Sequence, residues 1–407
     1  MAMERLLQLM AEKKASDLFL SPGSPIQIKI DGTMVAVNQQ RLEPANVEAL
    51  LREILHEADW ARFERERELN VGYGLSGVGS FRINVFRQRG TAAGVVRFVP
   101  HQIPTIAELN LPEILGELIL EKRGLLLVVG ATGSGKSTTL AAMLDHRNEQ
   151  RGGHILTLED PIEFIFRNKR SIVNQRQIGT DTDSLEIALK NAMRQAPDCI
   201  LIGEIRDTDT MSAALAYAQS GHLVLATLHA NNAHHALSRI VSFYPPDNRG
   251  VLLSDLAATL KAVVSQRLVR SVAGGRLPAI ELLTNTRHIS EMIEQGRLTE
   301  IKDAMDQSLA PGSCTFDYAL ATLVRQGRVA RADALAHADS PTNLLWLLEN
   351  EGTAPPNAEG RAATNAPAAA APAVLSAAET GAPKPPAAGR RDESGEGASF
   401  SEFLLNI

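Results

Sequence analysis

Two cysteines in 407 residues, Cys199 and Cys314, are too few for a tetracysteine zinc module or a disulfide framework. Both read as small apolar residues, in keeping with a reducing cytoplasm. Aromatic residues make up 4% of the chain and the formal net charge is −6. Neither the basic field nor the aromatic-studded groove that holds single-stranded nucleic acid is therefore expected. No apolar run approaches the ~18 residues needed to span a bilayer. Met1-Ala2-Met3-Glu4-Arg5 does not open a charged segment followed by an apolar core, the mark of a secretory signal. A cytoplasmic chain without direct membrane insertion is expected, any membrane association passing through a partner.

What is present is 44% hydrophobic residues, enough for a real core, on a length that suits two domains plus something extra. Residues 1–100 read as a small α+β domain. Leu6, Leu7, Leu9 and Met10 recur at helical spacing. Pro25 to Ile30 alternates as a strand into the Asp31-Gly32 turn, with Met34 to Val37 returning. Residues 44–69 read as one helix, followed by strands at 81–86 and 94–99. Both strands carry arginine (Arg82 and Arg97, with Arg87 just beyond the first), which suits a solvated face as well as a function. Residues 101–110 read as a linker. From 111 to 349 the pattern is that of an α/β domain, with buried-strand runs at 125–129, 154–158, 199–202 and 222–228. Residues 251–345 read as mostly helical, broken by a loop at Ala273-Gly274-Gly275-Arg276. From 350 to 407 the composition collapses into Ala, Pro and Gly, a disordered tail ending in the short apolar segment Phe400 to Ile407, either a fraying terminus or a docking motif.

The most informative stretch is Gly130-Ala131-Thr132-Gly133-Ser134-Gly135-Lys136-Ser137-Thr138. It follows the apolar run 125–129 and leads into a good helix former, so the G-x-x-x-x-G-K-[ST] pattern stands in the strand–loop–helix context of a P-loop. Its glycines let successive N–H groups face phosphate oxygens, and the helix dipole adds positive potential there. Lys136 is expected at the β- and γ-phosphates of ATP and the Ser137 hydroxyl on Mg²⁺.

The other strand runs also end in residues able to do chemistry, which is where open parallel sheets bind ligands. Glu204 follows Cys199-Ile200-Leu201-Ile202 in the Walker-B position. One methylene longer than the more common Asp, it is expected to meet Mg²⁺ through water. Glu159 and Glu163 are equal candidates for the base that activates water. His222 and His229 bracket one strand, and His229 at its carboxyl end is either a core residue or a sensor of the γ-phosphate. His234 and His235 near His229 suggest a metal, but no cysteine or carboxylate completes a set. Arg194 is a helix-face arginine, suited to a salt bridge or to a nucleotide.

The order GATGSGKST, LEDPIEF, QAPDCILIGEIRD, SGHLVLATLHA resembles the type II/IV secretion ATPase superfamily and, within it, the type IV pilus retraction ATPases of the PilT/PilU family. The resemblance extends over residues 1–345 and includes an N-terminal SDLFL…KIDG pattern. SLEIALKNAMRQAPD, LATLHANNA and DALAHADS look closer to PilU than to PilT. The resemblance implies a PAS-like N-terminal domain joined to a RecA-like ATPase domain, in a homo-hexamer. It implies Lys136 and Ser137 in Walker A, Glu204 in Walker B, Glu163 as general base, and His222 and His229 in a His box. It also implies Arg82, Arg97, Arg194 and Arg239 near a nucleotide, which a head-to-tail ring can place at a neighbour's site. A PilT-type ATPase and an inner-membrane pilus platform are the implied partners, at the inner-membrane face of the pilus machine. PilT proteins carry an AIRNLIRE-like retraction motif. Here His288-Ile289-Ser290-Glu291-Met292-Ile293-Glu294-Gln295 lacks its arginine pattern, which favours the PilU side.

Overall fold

The computed structural model describes residues 2–350 except 31, 100–102 and 309. The expectations for the Ala/Pro-rich tail and its apolar end thus lie, beyond Asn350, outside the described residues. The chain divides near residue 101 into two compact units.

In the first unit, the helix Ala2–Glu12 buries Met3, Leu6, Leu7 and Met10, the i, i+3, i+4, i+7 spacing of one helical face. The strands are β1 (Asp17–Leu20), β2 (Pro25–Ile30), β3 (Thr33–Arg41), β4 (Glu68–Leu75), β5 (Gly79–Gln88) and β6 (Thr91–Val99), in the order β3-β2-β1-β6-β5-β4. All neighbours pair antiparallel. The sheet forms because its strands bury alternate residues. On β5, Phe81, Ile83 and Val85 enter the core, which leaves Arg82 on the other face. The segment expected as one helix over 44–69 is two, Pro44–Arg52 and Glu57–Glu66, with β4 starting at Glu68. Arg67, in the left-handed region at φ 66°, closes the second helix. The chain then gains more by pairing β4 with β5 and burying Leu69 than by extending a helix over Glu68-Leu69-Asn70.

The second unit is organised by a seven-stranded sheet. Its strands are β7 (Gly124–Val129), β8 (Gly153–Glu159), β9 (Ser171–Gln177), β10 (Cys199–Ile202), β11 (Leu223–Leu228), β12 (Leu260–Arg270) and β13 (Arg276–Thr284), in the order β13-β12-β7-β11-β10-β8-β9. All pairs are parallel except β12–β13. Leu125, Leu127 and Val129 enter one core and Leu126 and Val128 another, so β7 is covered on both faces. That is why it reads as an unbroken apolar run. Ile106 and Leu111, at the end of the stretch read as a linker, are buried in one of these cores.

The helical reading of 251–345 is corrected in its middle. The glycine loop at 273–276 joins β12 and β13, two long strands of a hairpin. Ala262 to Gln266 are buried on both faces, so the period-2 alternation that marks a half-exposed strand is missing from this sequence. Beyond the hairpin, the helices Phe316–Arg325, Arg331–His337 and Pro341–Glu349 close a small core with Val269 and Ala279.

Candidate nucleotide site

A cavity of about 460 Å³ opens at the carboxyl ends of the parallel strands. Its lining includes Thr132 and Gly133 from the loop after β7, Lys136 and Ser137 from the start of the next helix, Glu159 at the end of β8 and Glu163 after it, Glu204 and Arg206 after β10, and His229 after β11. Four separate strand ends converge there because all four strands run parallel and in register.

The loop has the backbone that its glycines permit. Gly133 and Gly135 lie at φ 78° and 89°, and Gly135 caps the helix Lys136–Gln150. The Lys136 amine donates to the carbonyls of Gly130 at 2.9 Å and Ala131 at 3.0 Å. Burial holds it below the usual lysine range, while Glu204 and Glu163 act the other way. The Ser134 hydroxyl is buried and has no hydrogen-bond partner in the protein. A loop with a cation folded over it, an orphaned hydroxyl inside it and a helix N-terminus beneath it has the chemistry of a triphosphate cradle.

Glu204 is held from two sides. Arg206 donates to one carboxylate oxygen through Nε at 2.7 Å and Nη2 at 2.6 Å, and His229 Nε2 lies 3.3 Å from the other. Glu204 and His229 are legible at their strand ends, whereas Arg206, two residues after the acid, has no signal in the sequence that sets it apart from a solvated arginine. The two candidate bases also separate. Glu159 Oε1 accepts from Thr157 at 2.6 Å and Gln175 at 3.2 Å, and burial raises its carboxyl above the ordinary value against those bonds. Glu163 is exposed on the wall of the cavity.

Other expected site residues lie elsewhere. His222 stands at the opposite end of β11 from His229, about 20 Å away at ~3.3 Å per residue. Its ring Nδ1 lies near Ser220 Oγ and the Tyr217 carbonyl. It is not part of this cavity. Arg194 is exposed and donates to the Lys190 carbonyl and Asn191 Oδ1, both at 3.3 Å, and Arg239 is exposed on the helix Ala233–Phe243. Neither lines the cavity. Arg82 and Arg97 belong to the first unit, where they oppose each other across β5 and β6, and Arg97 Nε donates to Asp17 at 2.8 Å. These positions follow from which strand end or helix face each residue occupies, which spacing along the chain does not reveal.

Behind His229, a buried glutamate holds the next helix. Glu281 Oε1 accepts from the Ala233 N–H at 2.7 Å and Ser265 Oγ at 3.1 Å. Burial pushes its carboxyl up to about 7, with Asp339 adding to the effect. The folded state thus keeps a proton that the unfolded chain releases near 4.5, so stability falls as pH rises through that interval. Glu281→Gln is expected to gain stability relative to wild type at pH 8 over pH 5, by at most about 3 kcal/mol. Melting curves at both pH values check this; an equal offset at the two would rule it out.

The fold and the cavity define a RecA-like P-loop ATPase unit, preceded along the chain by a small α+β domain. The family model described as "Type II/IV secretion system protein" matches residues 2–287. Among curated proteins, the chain is 46% identical over 350 residues to "Type IV pilus ATPase PilU" of Pseudomonas aeruginosa, covering 86% of this chain and 92% of that one. It is 39% identical over 343 residues to that organism's "Type IV pilus retractation ATPase PilT", covering 84% and 100%. Among solved structures, "Crystal Structure of the Pilus Retraction Motor PilT and Bound ADP" superposes with a TM-score of 0.79 at 38% identity, covering 84% of this chain and 99% of that one. The chain belongs to the PilT/PilU family of type IV pilus ATPases, within the type II/IV secretion system proteins. No helix among the described residues is long and apolar enough to cross a membrane.

Proposed function

We propose that the chain hydrolyses Mg²⁺-ATP to ADP and phosphate and uses the energy to drive type IV pilus retraction, in the manner of a PilU-like motor working together with a PilT-type ATPase. The observation that carries this is the convergence of Lys136, Ser137, Glu163, Glu204 and His229 on one cavity, in a chain that matches a pilus ATPase over 86% of its length. Lys136 leaves the Gly130 and Ala131 carbonyls for the β- and γ-phosphates. Ser137 and, through water, Glu204 would hold the metal, which would supply charge neutralisation at the phosphate oxygens. Glu163 takes the proton of the water that attacks the γ-phosphorus. Its exposed carboxylate is free for this, whereas Glu159 is engaged by Thr157 and Gln175. Arg206 holds Glu204 in place, and His229 contacts the same carboxylate and so registers the state of the site.

Six chains in a head-to-tail ring, at the cytoplasmic face of the inner-membrane pilus platform, give the arginines outside the cavity a role. Arg82, Arg97, Arg194 and Arg239 then serve a neighbour's nucleotide, and His222 an interface away from its own cavity. A second reading, an accessory ring whose own hydrolysis is dispensable, is favoured by the helix Arg287–Glu294. It buries Ile289, Met292 and Ile293 and carries Ser290 and Glu294 where the retraction motif has arginines. Twitching and pilus length in a deletion strain, complemented with wild type or Lys136→Ala, separate the two. No rescue by Lys136→Ala supports the motor, and full rescue overturns it in favour of the accessory ring.

A further inference from the structure

The strand next to the P-loop carries a polar side chain with no expected place in a sheet interior. Gln266 on β12 is 3% exposed, and both ends of its amide are engaged. Its Nε2 donates to the Ser134 carbonyl at 2.7 Å, inside the loop, and its Oε1 accepts from Thr139 Oγ1 at 2.7 Å, on the helix that the loop opens. The side chain bridges the loop to the first turn of that helix, across the residues Gly135 to Ser137 that face phosphate.

Contact with the loop is close at two of its glycines. A Cβ at Gly130 would come within 2.6 Å of the Gln266 carbonyl oxygen, and one at Gly135 within 2.7 Å of Nε2. Glycine is thus required at both positions by Gln266 as well as by the loop's own turns. β12 pairs in parallel with β7, Ser265 standing opposite Val129, so Gln266 lies beside the point where β7 ends and the loop begins.

We propose that Gln266 is a positioning residue for nucleotide binding, which fixes the curvature of the phosphate loop through its two amide bonds. Without it, the loop N–H groups must be ordered by the nucleotide itself, and affinity falls by the population of the receptive form. The neighbours of Gln266 point to the other face of β12 and serve a second loop. Ser265 binds Glu281, which holds the Ala233 N–H, and Arg267 donates to the Asn231 carbonyl at 3.1 Å and pairs with Asp339. One strand thereby holds both the phosphate loop and the loop that follows His229. This inference rests on the phosphate site at Gly130 to Thr138, not on any particular role in pilus function.

The test uses the purified full-length chain with Gln266→Leu, which keeps approximate volume and loses both bonds, and Thr139→Val, which removes one. Equilibrium binding of a fluorescent ATP analogue, steady-state kcat and KM, and Tm are measured for each. Gln266→Leu is expected to weaken binding and raise KM by about ten- to a hundredfold, with kcat at saturating ATP within about threefold of wild type. Thr139→Val is expected to weaken binding less, and the double variant no more than Gln266→Leu alone, because both bonds belong to one side chain. Should Gln266→Leu fail to fold, Thr139→Val decides. Unchanged affinity in a folded variant, with or without a lower Tm, overturns the inference and leaves Gln266 a packing residue. Lys136→Ala is measured alongside: retention of ATP by that variant would instead refute the phosphate site itself.

Discussion

Lys136→Ala is expected to lose ATP binding by at least about a hundredfold and hydrolysis with it, while folding as wild type. The lysine is the one loop cation that lines the cavity, and its amine lies at the mouth of the P-loop on two loop carbonyls. A charge-assisted bond from a half-buried ammonium to phosphate is worth considerably more than a neutral one, and among the described residues lining the cavity the other guanidinium or ammonium, Arg206, is committed to Glu204. The same two carbonyl bonds are lost on truncation, but the Ala131 bond is exposed and the Gly130 bond only partly buried, so water can take the place of the amine and stability should change little. Calorimetric titration with ATP and a melting curve check both halves. Binding within a few-fold of wild type would remove the loop from the mechanism.

The second large effect is expected at the base. Glu163→Gln keeps the shape and polarity of the cavity wall and removes only the ability to take a proton. ATP affinity should stay within a few-fold of wild type while kcat drops by about 10²–10⁴. Glu159→Gln is the informative control. Its carboxylate is already an acceptor for Thr157 and Gln175, so an amide oxygen preserves most of its structural contacts and turnover should fall far less. Single-turnover hydrolysis at saturating Mg²⁺-ATP distinguishes the two acids. Unchanged turnover in Glu163→Gln, or a larger loss in Glu159→Gln, would reassign the base.

Much of the site can be read from the chain because its parts are local. Gly130 to Thr138 is a contiguous loop whose glycines, lysine and hydroxyl must follow a buried strand and precede a helix, and both flanks announce themselves by composition. Glu163, Glu204 and His229 are legible for a related reason. A parallel sheet delivers the residue after every strand to the same edge, so locating β8, β10 and β11 locates the acids and the histidine. His222 shows the limit of that logic. It brackets the same strand as His229, and only strand direction separates the end that meets the cavity from the end that does not.

β12 and β13 mark the other limit. Their central residues are buried on both sides because both faces of the sheet are packed there, and a run of that kind has no period by which a strand differs from a buried helix. Gln266 and Arg206 went unread for want of a local signal. Gln266 meets Ser134 and Thr139 across more than 120 residues of chain, and Arg206 gains meaning only from the carboxylate to which it turns. The division between Glu159 and Glu163 was likewise open in the sequence, where both follow one strand within five residues. Both line the cavity, but Thr157 and the Gln175 side chain, brought alongside by β9, engage the first, while the second is exposed on the wall.

The sequence by itself determined that this protein holds a nucleoside triphosphate on a parallel sheet, with acids and a histidine at the strand ends. A phosphate loop is a property of adjacent residues and their backbone freedom. Only the tertiary structure reveals that Thr157 and Gln175 engage Glu159, that His229 and not His222 lines the cavity, and that a glutamine from a distant strand bridges the loop to its helix. Those are properties of side chains meeting across the fold, and hydrogen-bond geometry, not order along the chain, selects among them.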